Sequence, residues 1–102
     1  MLLDTLVVSR KTPRDGKLEI SEAAAARLAR LAPDLRVVAL GREGPASTET
    51  FTCTCGKRGG GDHIHHFLAS DLFKGLAEGS EVRLELDQAA SRITVTPTGT
   101  GR

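Results

Sequence analysis

The sequence predicts a mainly β (α+β) domain, a small open or pseudo-barrel of about seven strands with two short helices at about 21–32 and 70–78. Three observations carry that prediction. Several short segments alternate apolar and polar residues with a period of two, as in "EVRLEL" (81–86) and "RITVT" (92–96). Turn-forming clusters such as "TPRDG", "GREGP" and "GKRGGGD" separate the segments at short intervals. Only "SEAAAARLARLA" (21–32) has the composition of a longer helix.

Taken in order, "LLDTLVVS" (2–9) is aliphatic and β-branched and reads as a strand. The basic stretch "RKTPRDGK" (10–17) reads as a turn, and "KLEI" (17–20) as a short alternating strand. The helix that follows has Ser21 as N-cap and Glu22 at the positive end of its dipole, and Pro33 stops it. "LRVVAL" (35–40) is a buried-type strand and "GREGPAS" (41–47) is turn material. "TETFTCTC" (48–55) and "HIHHFL" (63–68) read as two strands joined by the glycine-rich loop 56–62. "SDLFKGLAEG" (70–79) is a short helix between Ser70 and Gly79, weakened by Gly75. The 81–86 and 92–96 strands form a hairpin around "DQAAS".

A chain of 102 residues is sized for one domain, drawn here as a β-barrel-like unit over 1–97 with a flexible tail at 98–102. Apolar residues make up 39%, but the aromatics are three Phe with no Trp or Tyr, so the core must be aliphatic. A small aliphatic core gains much from an internal cross-link such as a structural metal. The formal net charge of +1 argues against attachment to nucleic acid by bulk charge alone. No stretch approaches the ~20 apolar residues of a membrane span, so no membrane role is expected. "MLLDTLVVSRK" is broken by Asp4 and lacks a basic leader, unlike a signal peptide. Two cysteines without an export signal point to a reducing, cytoplasmic setting.

Both cysteines and all three histidines fall within "FTCTCGKRGGGDHIHHF" (51–67). On strands, Cys53 and Cys55 share a face, and so do His63 and His65. A hairpin register placing Cys55 opposite His63 and Cys53 opposite His65 brings four ligands within reach of one ion. Two thiolates and two imidazoles make a tetrahedral zinc set, so one Zn2+ per chain is expected at Cys53, Cys55, His63 and His65. Four protein ligands leave no open position, which makes the site structural. His66 falls on the other face unless the strand bulges; with only three ligands, the site opens and His66 or Asp62 stands by as a base. The spacing C-x-C is one residue short of the common zinc knuckle. The same residues also admit unligated side chains on a polar hairpin, a redox pair, or Cys–His catalysis. A disulfide between strand residues two apart would be strained. No carboxylate pair and no Ser/His/Asp set accompanies the cluster, and "GKRGGG" lacks the context of a phosphate loop.

The charge is unevenly placed. Arg10, Lys11, Arg14 and Lys17 stand against Asp15 alone, while 71–87 carries Asp71, Glu78, Glu81, Glu85 and Asp87 against Lys74 and Arg83. Two solvated faces would account for this; so would a basic binding edge, with the acidic segment turned away from it.

"DGKLEISEAAAARL" and "LFKGLAEGSEVRLELDQAASRITV" resemble the strand-then-helix opening and the closing strands of small DNA-binding β-barrels. The families in question are the plant-type DNA-binding pseudobarrels and the swapped-hairpin transition-state regulators, and the order of elements is closer to the former. The resemblance implies DNA contacts near Arg10, Lys11, Arg14 and Lys17, with Lys57 and Arg58 joining them from the hairpin tip. Three functions follow as expectations. The first is a zinc-stabilised β domain that binds nucleic acid, DNA in particular. The second is a protein-interaction or scaffold module with structural zinc. The third is a small cupin-like metalloenzyme, for which "HIHH" lacks any later histidine to complete a ligand set.

Overall fold

The computed structural model describes residues 1–31, 34–53 and 63–98, with the side chains of Cys53 and His63 outside that description. The fold is mainly β. In chain order the elements are β1 (Leu2–Val7), α1 (Lys11–Asp15), β2 (Lys17–Ile20), α2 (Glu22–Ala29), β3 (Arg36–Ala39) and β4 (Arg42–Pro45). They continue with β5 (Ser47–Cys53), β6 (His63–Ala69), a 3-10 helix (Asp71–Gly75), β7 (Glu81–Asp87) and β8 (Arg92–Pro97).

The strands form a five-stranded sheet in the order β1-β7-β8-β3-β4 and a three-stranded sheet in the order β2-β6-β5. All pairs are antiparallel except β3 with β8. Strict alternation in β7 sends Val82, Leu84 and Leu86 inward and Glu81, Arg83, Glu85 and Asp87 to solvent. Ile93 and Val95 of β8 and Val37 and Ala39 of β3 continue that inner face. Leu18, Ile20 and Leu68 of the smaller sheet meet it, together with Ala24 and Leu28 of α2 and Phe73 of the 3-10 helix. One buried cluster therefore joins both sheets.

The 21–32 helix is present but shorter. Ser21 caps α2, its Oγ accepting from Ala24 N at 3.1 Å, and the helix closes at Ala29. The segment expected to be helical over 70–78 is the 3-10 helix at Asp71–Gly75, with Ser70 Oγ accepting from Leu72 N at 3.1 Å.

Two elements stand where turns were expected. In "GREGPAS", the Leu40–Gly41 pair takes positive φ at both positions (55° and 76°). This is the backbone of a tight two-residue hairpin, and it returns the chain as β4 alongside β3. Pro45 is tolerated because β4 is an edge strand. In "RKTPRDG", Pro13 sits in the first helical turn, where its missing N–H removes no bond. Gly16 closes that turn at φ 73°, and a Cβ there would lie 2.7 Å from Ser70 O. The buried Thr12 hydroxyl donates to Lys17 O at 2.7 Å, tying α1 to β2. At the other end, Thr98 N–H donates to Glu81 O at 2.9 Å.

Candidate functional site: a ring-bearing sheet face beside a basic helix

The smaller sheet has two faces. Even-numbered residues Leu18, Ile20 and Leu68 enter the core, with His66 on the same face, beside Ala25, Ala26 and Ala29 of α2. His66 thus stands on the face opposite His65, as the strand period requires.

The odd-numbered face looks outward and carries three rings. Phe51 on β5 is directly opposite His65 on β6, and Phe67 is two residues further along β6. The ring centroids step by 6.4 Å from Phe51 to His65 and by 6.3 Å from His65 to Phe67, with interplanar angles of 28° and 24°. Phe51 is 58% exposed, whereas Phe67 is 5% exposed. Phe67 is buried yet lies outside the core cluster, beneath the Lys11 ammonium at 5.0 Å from its ring centre. A cation over an aromatic face is attractive, so Lys11 is held on this surface.

His65 Nδ1 is 2.7 Å from Glu19 Oε2 on β2. Lys17 Nζ reaches Glu49 Oε1 at 2.9 Å; β2 and β5 flank β6, so this pair spans the central strand. The hydrogen bond to Glu49 raises the Lys17 pKa above its ordinary value. On α1, Arg14 pairs with Asp15 at 3.0 Å, and the hydrogen bond from its guanidinium holds that carboxyl below the usual range.

Of the four basic residues singled out in the sequence, Arg14 and Lys17 are therefore partly neutralised by partners. Arg10 and Lys11 have no carboxylate within salt-bridge distance among the described residues. Two surface grooves meet at Lys11. One, of about 280 Å³, is lined by Lys11, Asp15, Lys17, Glu49, Phe51 and Phe67 among others. The other, of about 410 Å³, is lined by Ser9, Arg10, Lys11, Arg14, Glu19 and Glu78. Most acids of 71–87 do turn away, those of β7 being on the outer face of the larger sheet. Glu78 is the exception and corrects the expectation: it borders the basic groove.

The hairpin register is also corrected. Cys53 pairs with His63 and Phe51 with His65, two residues from the register expected. Seven consecutive pairs from Ser47↔Ala69 to Cys53↔His63 fix it. A register shift of two residues does not change which strand positions share a face. Cys55, Lys57 and Arg58 lie outside the described residues. Among the described residues, no three His, Cys, Asp or Glu side chains are grouped to hold a metal ion. Nor is any helix among them long and apolar enough to cross a membrane.

The aromatic ladder was not singled out in the sequence. Its signal was there: Phe51, His65 and Phe67 have the same parity on two strands already expected to pair. No protein-family model matches the chain, and no curated protein or solved structure matches it either.

Proposed function

We propose that this chain is a nucleic-acid-binding β domain whose Cys/His hairpin is held by a structural zinc ion. The observation that carries the reading is the placement of Lys11 in two grooves, one lined by Phe51 and Phe67 and the other shared with Arg10 and Arg14. Cations supply attraction to phosphate and rings supply contact with bases, and the two kinds of group adjoin at Lys11.

Zinc would be held by Cys53, Cys55, His63 and His65. Two features support the fit. Cys53 and His63 are paired across the two strands, a juxtaposition suited to sharing one ion. The His65–Glu19 contact is the carboxylate support that zinc-bound imidazoles commonly have on the nitrogen away from the metal. Bound there, the ion supplies a cross-link between strands. A cytoplasmic setting, which keeps thiolates reduced, suits the site.

Each phosphate contact releases about one counterion on binding. Changing both Arg10 and Lys11 to Ala should therefore lower the slope of log affinity against log salt by about two. Titration of labelled DNA at several salt concentrations measures this. An unchanged slope would remove these residues from the interface.

A second reading, a protein-interaction module with the same zinc, is favoured by one observation. Among the described residues β5 is an edge of its sheet, where a partner could add a strand. Absence of nucleic-acid binding at low salt would select it.

A further inference from the structure

Resting on the nucleic-acid reading, we propose that the ligand is single-stranded, with unstacked bases on Phe51 and the groove behind it and phosphates at Lys11 and Arg10. A base inside a duplex has both faces covered by its neighbours. The Phe51 ring can therefore stack only on a base that has left a helix or was never in one. The groove bounded by Phe51, Phe67, Lys11 and Lys17, at about 280 Å³, has room for a nucleobase and not for the width of a duplex.

Charge selects the same occupant. Two carboxylates on this face are matched by cations, Asp15 by Arg14 and Glu49 by Lys17, and Glu19 is hydrogen-bonded to the His65 ring. Arg10 and Lys11 pair with no carboxylate among the described residues, and Glu19 and Glu78 are the acids that border their groove. A flexible phosphate backbone can follow those two cations from the ring groove into the basic one, because Lys11 belongs to both. A rigid duplex would need a broader cationic surface than the two unpaired cations that this face carries among the described residues.

The test is fluorescence anisotropy at low salt with a labelled oligothymidylate of about 12 nucleotides, and with a hairpin duplex of matching length. The wild-type chain should bind the single strand more tightly than the duplex. Phe51→Ala should weaken single-strand binding at least about fivefold, the lower end of what one base–ring stack contributes, and Phe51→Tyr should restore it. Ile64→Ala, an equally exposed change on the opposite face of the same hairpin, should leave affinity unchanged. Duplex binding as tight as single-strand binding would overturn this inference while leaving the nucleic-acid reading in place. So would equal loss in Phe51→Ala and Ile64→Ala. Binding of neither nucleic acid by the wild-type chain overturns both.

Discussion

Truncating Phe73 to alanine is expected to cost about 3–5 kcal/mol of folding stability, the range seen when a buried aromatic leaves a cavity. Phe73 is fully buried and is the one aromatic ring in an otherwise aliphatic core cluster. It is also fixed locally, since Phe73 N donates to Ser70 O at 3.1 Å and Leu76 N returns to Phe73 O at 2.9 Å. Those bonds hold the 3-10 helix in place, so the cluster cannot close the void by a small shift. Urea unfolding should show a lower midpoint at unchanged slope, and the melting temperature should fall by more than about 10 °C. A loss below about 1 kcal/mol would mean that Phe73 is not seated in the core.

The proposed zinc site predicts the second large effect. Phe51 and Ile64, near the far end of the β5–β6 hairpin, are both exposed, so that end draws little from the core. The sequence 54–62 contains four glycines, which carry a large entropy in the unfolded chain. A zinc ion shared by Cys53, Cys55, His63 and His65 would offset that entropy, and chelation should lower the melting temperature by on the order of 10 °C. Cys55→Ser should behave the same way without chelator. A melting curve unchanged by complete chelation would remove zinc from the account and leave the ring face standing.

The legible parts of this fold are those where a period or a cap acts locally. "EVRLEL" alternates because one face of β7 is dry, and Ser21 precedes an alanine-rich helix because its hydroxyl meets the free N–H of Ala24. The less legible parts depend on partners distant in sequence. β4 forms from turn-like residues because β3 offers it an edge, and Leu40 accepts positive φ in the hairpin that joins them. α1 exists because Thr12 bonds across to Lys17 and Gly16 fits against Ser70. Parity put Cys53, His63 and His65 on one face, but parity does not distinguish registers that differ by two. The ring ladder needed the register as well, since Phe51 meets His65 only in the pairing observed. Glu19 could be placed beside His65 only once β2 was known to be the other neighbour of β6.

The central claim is that the outer face of the smaller sheet, with the adjoining α1, takes up nucleic acid. Backbone amide NMR of the chain, in buffer containing zinc, titrated with a short oligothymidylate tests it residue by residue. Shifts should concentrate at Arg10, Lys11, Lys17, Phe51, His65 and Phe67, while Arg83, Glu85 and Thr94 of the larger sheet stay still. Shifts centred on β7 and β8, or none at saturating oligonucleotide, would contradict it.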